Sequence, residues 1–384
     1  MVYEGARSLY GPALLALGAS AAIVGLVTGV GEAMALVLRL VVGPVADRRG
    51  SHWSFTIAGY ALTAVCVPLL TLAPWFGAAG LIVAALLIWS ERAGKAVRSP
   101  SKSALLAHAA QGVGRGKGFG IHKALDQVGA FLGPLLVAAV VAATASLWPG
   151  FAVLAVPGLL AMGLLLWIRH RVPDLTVYDP PGAPTAPRAP ASSWWREALG
   201  ARLPPVFFTY AFAAALTTGG LVTFAVISVH LTRGLGVPVA LVPVIYAGAM
   251  AIEAIAAVLT GWLFDRVGPR VLLVVPVLVA LVPVLAFGTL LPVVLVGVAS
   301  WAAAYGVQDS TIKALVADLV PSDALAGAYG VFAAIQGLFA IAGGFTAGYL
   351  LDRSVPVLIA VVGAAQALAV ALLLRALRKA ATAT

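Results

Sequence analysis

Charged side chains that could carry protons or bind ions interrupt otherwise apolar stretches of this sequence. They are Glu4, Arg7, Glu32, Arg39, His122, Lys123, Asp126 and Glu253. Burial of a carboxylate favours its protonated form, so a carboxylate in an apolar interior can take up and release protons near physiological pH. The acids are therefore candidate proton carriers or cation-binding groups, in the order Glu32, Asp126, Glu253 and Glu4. The bases Arg7, Arg39 and Lys123 could instead hold an anion.

Some of these charges are close enough in sequence to form pairs on one helix face. Arg39 follows Glu32 by seven residues, and Asp126 follows His122 by four and Lys123 by three. Residues three or four positions apart on a helix are neighbours, so Asp126 can reach either base. These pairs could serve only to hold helices together, and Arg39 could extend its guanidinium to the membrane surface.

The segments that must position these charges are apolar over almost the whole chain. Of its 384 residues, 62% are hydrophobic and 10% are charged, and the mean hydropathy is +1.04, outside the range of soluble domains. Segments of about 20 apolar residues, the length of a membrane-spanning helix, follow one another. We therefore expect an all-α membrane protein. The net charge of +10 lies in short loops, so it indicates topology and does not predict a nucleic-acid partner.

Charged and Pro/Gly-rich breaks divide the chain into twelve predicted spans. The spans are 2–18, 21–43, 53–73, 78–94, 117–142, 149–168, 205–230, 239–263, 271–288, 290–312, 324–350 and 355–375. With this division, seventeen Lys or Arg residues lie in loops on one side, and only Arg233 and Arg353 lie on the other. The positive-inside rule then places both termini in the cytoplasm, in a multi-pass protein of the cytoplasmic membrane.

A polar, proline-rich segment predicts how the spans are grouped. It favours a cytoplasmic linker at 171–203 between two six-helix halves, 1–170 and 204–384. The first span is at the lower length limit for crossing a bilayer. By comparison with the seventh span it begins about fourteen residues late, which predicts a truncated or unusually short first helix.

An internal repeat relates the two halves. GPVADRRG at 43–50 and GWLFDRVG at 261–268 are 218 residues apart, and LGASAAIVGL at 17–26 aligns with LGVPVALVPV at 235–244 at the same offset. Further along, GFGIHKALDQ at 118–127 aligns with AYGVFAAIQG at 328–337, which places Gln336 opposite Asp126. Repeated six-helix halves are typical of transporters that move one half against the other around a site at the membrane midplane.

The two octets carry a family resemblance. The chain resembles the major facilitator superfamily of secondary transporters, whose loop motif stands here as Gly43, Asp47, Arg48 and Gly50, with a degenerate copy as Gly261, Asp265, Arg266 and Gly268. The first copy ends in Ser51 and His52, where the family usually has another arginine. GAFLGP at 129–134 is similar to the start of the family's antiporter motif but lacks its paired glycines. GYLLDR at 348–353 is similar to the start of the octet but lacks its last glycine, and we interpret this similarity as coincidental.

The resemblance implies a gate at the cytoplasmic side. In the family the loop motif holds the two halves together through its Asp and Arg and a base of the fourth helix, for which Arg92 is the candidate here. Gln308, Asp309 and Lys313, together with Glu91, Arg92 and Lys95, are interpreted as further gate pairs near cytoplasmic helix ends. Gln308 and Gln336 are also candidates for substrate contact. The alternative is that the charged loops only set the topology.

These observations predict a proton-coupled transporter that exports a small amphipathic or cationic compound by alternating access. Tyr3, Tyr10, Phe208, Tyr210, Phe224 and Tyr246 are aromatic candidates for lining its cavity. The alternatives are an importer of a small organic anion and a non-transporting membrane sensor with the same fold. Motifs for covalent chemistry, phosphate binding and metal binding do not occur in the sequence. We expect a monomer that is not an enzyme, with protons, a small solute and lipid as partners and no cofactor.

Overall fold

The structure, a computed structural model, describes residues 1–110, 114–173, 203–320 and 325–381, and these residues form helices, turns and short irregular connections. The helices before the predicted linker are α1 (Val2–Arg7), α2 (Tyr10–Ala16), α3 (Ala21–Arg49), α4 (His52–Leu69), α5 (Gly80–Ala109), α6 (Arg115–Thr144), α7 (Pro149–Ala152) and α8 (Ala155–Arg171). A 3₁₀ segment, Leu70–Ala79, connects α4 to α5.

The helices after the predicted linker are α9 (Pro205–Gly220), α10 (Phe224–Val229), α11 (Leu241–Val267), α12 (Val274–Ala286), α13 (Leu291–Leu319), α14 (Leu325–Leu351) and α15 (Val355–Ala381). A π-helical turn, His230–Gly234, extends α10, and a 3₁₀ turn, Gly268–Leu273, precedes α12. Ten stretches of the described residues are long and apolar enough to cross a membrane, and the stretch from His52 to Ala109 contains both α4 and α5. The predicted all-α membrane fold is confirmed.

The fourth predicted span ends too early. Its charged continuation from Glu91 to Lys102 suggested a loop after residue 94, but α5 continues to Ala109 and includes Pro100. Because α5 continues through this charged stretch, the bases lie on the helix itself. The charges therefore do not mark the end of the helix, as the sequence had suggested. As a result, Glu91 and Arg92 lie near the middle of a 30-residue helix and not at its end.

The first helix of each half is broken, although the sequence predicted one continuous span in each case. In the first half, α1 and α2 are separated at Ser8 and Leu9. Pro12 has no backbone N–H to donate to the carbonyl of Ser8, which accounts for this break. In the second half, α9 ends at Gly220 and the chain is extended at Leu221 and Thr223. Interrupted first helices in both halves are a common mark of a transporter binding site.

Backbone conformation supports the internal repeat. Gly50 and Gly268, the final residues of the two octets, have positive φ angles of 57° and 71°. Gly18 and Gly236, which are aligned at the same offset, have φ angles of 87° and 65°. Residues other than glycine rarely adopt this region. Gly18 and Gly236 thus encode the same turn before α3 and α11, and Gly50 and Gly268 encode the same turn after them. Gly50 thus forms a tight turn at the end of α3.

The chain forms two compact units. One unit comprises Met1–Ala6 and Met34–Ser192, and α4 packs on α5 and α8 within it. The other comprises Arg7–Ala33 and Ser193–Thr384, and within it α2 packs on α10, α9 packs on α14 and α15, and α13 packs on α11 and α12. The predicted division at the linker remains a prediction.

In the second unit, α3 and α14 approach closely through glycine. A Cβ atom built on Gly25 would lie 1.9 Å from the carbonyl oxygen of Gly344, and one built on Gly344 would lie 2.4 Å from the carbonyl oxygen of Gly25. Small residues at such crossings allow the backbones of membrane helices to touch. This contact holds the first part of α3 against α14.

Candidate functional site

An ion pair lies at the centre of the candidate site in the second unit. Arg7 Nη2 at the end of α1 donates to Glu32 Oε1 in α3 over 2.7 Å. The side chains of Arg7 and Glu32 are 8% and 22% exposed, so the pair is largely shielded from water. Arg7 also lies 3.4 Å from the Tyr305 hydroxyl, with its guanidinium carbon 5.1 Å from the ring centre. Arg7 therefore connects α1 to α3, both in the first predicted half of the sequence, and to α13 in the second predicted half.

An aromatic cluster supports this pair. Trp301 lies one helical turn before Tyr305, with 5.6 Å between ring centroids, and it also contacts Phe224 and Tyr246. The indole N–H of Trp301 donates to the carbonyl of Val222 over 2.7 Å. Val222 lies in the break between α9 and α10, so its carbonyl is not part of the hydrogen-bond ladder of either helix. The cluster thus stabilises the broken backbone in an apolar environment, where an unsatisfied carbonyl would be costly.

Polar side chains surround the same break. The hydroxyls of Thr28 in α3 and Thr223 lie 2.9 Å apart. Gln308 and Gln336 both donate to the Thr218 hydroxyl, over 2.6 and 3.0 Å. The two glutamines, predicted as substrate contacts from separate spans, are thus brought together on α9, and whether they touch substrate remains a prediction.

Glu253 occupies the middle of α11 and is buried. Its backbone faces α13 closely, because a Cβ atom built on Gly306 would lie 2.4 Å from the Glu253 carbonyl oxygen. Burial agrees with the position expected for a proton carrier or cation-binding acid. Its role remains a prediction.

The first unit contains a second polar centre, built around Tyr3. Arg92 Nη1 and Lys95 Nζ of α5 both donate to the Tyr3 hydroxyl, over 2.5 and 2.7 Å. Both cations also lie over the Tyr3 ring, 4.3 and 4.0 Å from its centre. Glu91 and Arg92 are buried and form an ion pair of 3.3 Å. The sequence predicted these charges near a helix end, but the length of α5 places them near its middle.

The basic face of α5 continues beyond this centre. Arg98 Nη1 donates to the Thr63 hydroxyl in α4 over 2.5 Å, and its guanidinium carbon lies 4.9 Å from the centre of the Tyr60 ring. Lys102, one turn further, is half-buried. The predicted end of the fourth span at residue 94 placed Lys95, Arg98 and Lys102 in the loop after it, and this is wrong because all three are in α5.

Other predicted site residues differ in their surroundings. Glu4, Arg39 and His122 are half-buried, whereas Lys123 and Asp126 are exposed. The sequence placed all of these charges inside the helix bundle, and for Lys123 and Asp126 the structure shows no such enclosure. Their face of α6 was expected to be buried because the charges interrupt an apolar span, but spacing alone does not determine which way a helix faces.

The predicted cytoplasmic gate is described only in part. Gly43 faces Pro100 of α5 at ordinary contact distance, because a Cβ atom there would lie 3.6 Å from the proline side chain. Arg48 is half-buried, and Arg266 lies over the Trp262 ring, 3.5 Å from its centre. The side chains of Asp47, Asp265, Asp309 and Lys313 lie outside the described part of the structure. The gate, including the part assigned to Arg92, therefore remains a prediction.

The GYLLDR segment, whose likeness to the octet was interpreted as coincidental, forms a polar link between helical segments of the second unit. Asp352, from the GYLLDR segment after α14, forms an ion pair with Arg233. Its other oxygen accepts a hydrogen bond of 3.0 Å from the backbone N–H of Ala21, the first residue of α3. A carboxylate is favoured at a helix N-terminus because the exposed amides there carry partial positive charge. The segment is thus functional in packing, although it is not a third copy of the octet.

Sequence reasoning missed Tyr305, Trp301, Thr218 and Thr223. Two signals could have found them: the Gly219–Gly220 pair and Pro12 both predict interrupted helices, and polar or aromatic side chains near an interruption are candidates to satisfy its backbone. Among the described residues, no group of three or more His, Cys, Asp or Glu could hold a metal ion.

Comparisons with known proteins agree with this architecture. The family model described as the Major Facilitator Superfamily matches residues 1–344, and a second match covers 211–383. The uncharacterized protein Rv2265 of Mycobacterium tuberculosis (strain ATCC 25618 / H37Rv) is 47% identical over 378 residues, 97% of this chain and 88% of the relative.

Two solved structures show the same fold at low sequence identity. The nucleoside transporter NupG superposes with a TM-score of 0.75 at 14% identity, over 98% of this chain and 96% of that chain. The inward-open xylose transporter XylE of E. coli gives a TM-score of 0.67 at 14% identity, over 97% and 92% of the two chains.

Proposed function

The chain belongs to the major facilitator superfamily, and from this premise we propose that it is a secondary transporter that couples the movement of a small organic solute to protons through Glu32 and Arg7. Its fold is that of a multi-pass membrane transporter and not of an enzyme. The single observation that carries the proposal is the 2.7 Å ion pair between Arg7 and Glu32. The solved transporters above, at 14% identity, support the fold and do not identify the solute.

Protonation of Glu32 would change the strength of this pair. While Glu32 is ionised, opposite charges attract strongly because little water screens them. Once Glu32 takes up a proton, Arg7 keeps only a hydrogen bond to a neutral group, and the link between α1 and α3 weakens. A proton thereby favours whichever conformation separates the two side chains, which is the differential binding that coupling requires.

The surroundings of the pair support a role in conformational change. Arg7 lies directly before the break between α1 and α2, and the Val222 carbonyl that Trp301 binds lies in the break between α9 and α10. A chain break absorbs changes in φ and ψ more readily than a continuous helix. Movement of Arg7 relative to Glu32 and Tyr305 is therefore possible without unwinding a long helix.

Two substrate classes compete within this proposal. Export of an amphipathic or cationic compound by proton antiport, predicted from the excess of acids, is supported by the aromatic rings next to Arg7 and by the buried Glu253. Uptake of a small organic anion is favoured by a different observation, the bases along α5. Both classes use the same proton step at Glu32. The solute and the proton move in opposite directions during export and in the same direction during uptake.

Proton flux into lipid vesicles tests the coupling. The purified chain is reconstituted with the pH-sensitive dye pyranine inside, and a library of organic acids and bases is added under an imposed pH gradient. Wild-type vesicles should show proton flux that depends on at least one compound, and Glu32→Gln should abolish it. Asp179→Asn, in the predicted linker, removes a carboxylate elsewhere and should leave the flux unchanged.

Two outcomes would contradict the proposal. Undiminished flux in Glu32→Gln would exclude Glu32 as the carrier. Absence of compound-dependent flux in the wild type would favour the alternative of a non-transporting membrane sensor.

A further inference from the structure

Two glutamine side chains of the second unit meet on one hydroxyl group beside the break in α9. Thr218 lies two residues before the end of α9. Gln308 Nε2 of α13 and Gln336 Nε2 of α14 donate to its Oγ1 over 2.6 and 3.0 Å. A Cβ atom built on Gly343 would lie 1.9 Å from the Gly219 carbonyl oxygen, so the backbones of α9 and α14 touch next to this point. Both amides are therefore held beside an interrupted helix, where polar groups are available to a solute.

The Thr218 hydroxyl determines the orientation of both amides. It donates its one proton to the Ala214 carbonyl over 2.9 Å. Its lone pairs remain, and these can only accept hydrogen bonds. Gln308 and Gln336 must therefore direct their NH₂ groups at the hydroxyl, because an amide oxygen in the same place would face another acceptor. As a result, each amide directs its carbonyl oxygen away from Thr218.

The carbonyl oxygen of Gln308 is an acceptor that lacks a donor. The Gln308 side chain is half-buried, and its Oε1 is shielded from water and has no hydrogen-bond partner among the described residues. An acceptor that loses its contact with water and gains no donor costs free energy. Most buried polar atoms in folded proteins have a partner, so an exception calls for a reason, and in a binding site the reason can be a donor on the ligand.

A second glutamine of this unit, Gln366 in α15, provides a comparison. Its Nε2 donates to the Leu216 carbonyl over 3.0 Å, and its Oε1 has no partner within the described part of the chain. Leu216 and Thr218 are two residues apart and therefore about 200° apart around α9. Gln366 is only 2% exposed, and its amide binds the backbone near the end of α9. It is thus enclosed on the other side of the helix, whereas Gln308 is partly exposed and binds a side chain.

Aromatic side chains lie on the same face of α13 as Gln308. Trp301 and Tyr305 precede it by seven and three residues, and such spacings place side chains on one helix face. Their ring centroids are 5.6 Å apart. Arg7, which contacts Tyr305, is paired with Glu32, so these two charges oppose each other. The amides and the hydroxyl are uncharged, so this face offers hydrogen bonds and apolar contact to a solute.

We propose that Gln308 Oε1 accepts a hydrogen bond from an N–H or O–H group of the solute, and that this solute is an amphipathic compound with an aromatic body. This inference rests on the proposed transport function and assigns it the amphipathic substrate class. The adjoining break in α9 can absorb a change in φ and ψ, so movement of α9 against α13 uncovers the oxygen. A donor then gives Gln308 its partner, and an analogue without the donor leaves the oxygen unpaired.

Equilibrium binding to the purified full-length protein in detergent tests the site with two matched pairs of probes. In benzofuran an oxygen replaces the N–H group of indole, and in fluorobenzene a fluorine replaces the O–H group of phenol. The donor of at least one pair should raise the unfolding temperature saturably and bind about ten-fold more tightly than its partner. Gln308→Leu should lower binding of the donor to the level of its partner and leave binding of the partner unchanged. Equal binding within both pairs, or no saturable binding of any probe, would overturn the proposal.

Two further variants separate this site from a general loss of packing. Gln366→Leu removes another amide that binds α9, and it should keep the preference for the donor even where it lowers the unfolding temperature. Thr218→Val keeps the Gln308 oxygen and removes the hydroxyl that orients it, so the preference should fall. This variant also tests the site if Gln308→Leu does not fold. Equal loss of preference in Gln308→Leu and Gln366→Leu, or an undiminished preference in Thr218→Val, would contradict the proposal.

The result is distinguishable from that of the proton proposal, because binding is measured without a pH gradient. Glu32→Gln should still prefer the donor of the pair. If the wild type shows no preference while Glu32→Gln loses proton flux, the donor site is wrong and the coupling stands. If the preference depends on Gln308 while Glu32→Gln retains full flux, the coupling is wrong and the donor site stands.

Discussion

Arg7 and Glu32 form a 2.7 Å ion pair although they are 25 residues apart and belong to different helices. Each had a nearer partner in the sequence, since Glu4 precedes Arg7 by one turn and Arg39 follows Glu32 by two. The crossing of α1 and α3 brings these two distant residues together. The energetic consequences of this pair and of the packing around it can be tested individually.

Replacement of Arg7 by Gln should destabilise the protein more than replacement of both members of the pair. The single change removes the Arg7 charge from a largely buried Glu32 carboxylate, at a cost of about 3 kcal/mol. Arg7→Gln together with Glu32→Gln removes both charges and should recover part of that loss. Thermal unfolding in detergent of the two single variants and the double variant measures the coupling. Strict additivity of the three free energies would contradict the pair.

Replacement of Trp301 by Phe should destabilise the break between α9 and α10. The substitution keeps an aromatic ring and removes the N–H group that binds the Val222 carbonyl. A buried carbonyl left without a donor costs about 1 to 3 kcal/mol. Trp262→Phe, at an exposed tryptophan of α11, is the matched control and should change the free energy of unfolding by less than about 0.5 kcal/mol. Equal effects of the two changes would show that the hydrogen bond contributes nothing.

Replacement of Gly25 by Ala should separate α3 from α14. The added methyl group would overlap the Gly344 carbonyl, and backbone cannot move aside as a flexible side chain can. Overpacking of this kind costs about 3 kcal/mol. Gly248→Ala, in α11 with open space around its Cα, should instead be neutral or slightly stabilising because alanine favours helix. Chemical denaturation of both variants gives the comparison, and a neutral Gly25→Ala would refute the close contact.

Replacement of Asp352 by Asn should weaken the link between α14, Arg233 and the start of α3. The exposed fractions of the Arg233 and Asp352 side chains are 51% and 25%, so the expected loss is only about 1 kcal/mol. Because partly exposed charges are screened by salt, the difference from the wild type should shrink as ionic strength rises. Arg353→Gln, at the neighbouring base, should show a smaller loss. A difference that is independent of salt would contradict the ion pair.

The sequence was informative about features that depend on local pattern. Hydrophobic length predicts the spans, and the paired octets predict the repeat because glycine is needed where φ is positive, as at Gly50 and Gly268. The contacts of Tyr3 with Arg92 and Lys95 could not be predicted, since they depend on the length of α5 and on its orientation toward α1. The exposure of Asp126 was missed for the same reason: charge in an apolar segment does not specify which side of a helix is covered.

Infrared difference spectroscopy of the protein in lipid membranes tests the central claim most directly, because it detects the protonated carboxyl group itself. Spectra recorded at about pH 6 and about pH 9, both above the ordinary carboxyl pKa of about 4, should differ by the carbonyl stretching band of carboxyl groups that stay protonated at the lower pH. The component of that band that belongs to Glu32 should be lost in Glu32→Gln, and the band should be unchanged in Asp179→Asn. A band that is unchanged in Glu32→Gln would show that another group carries the proton and would contradict the account.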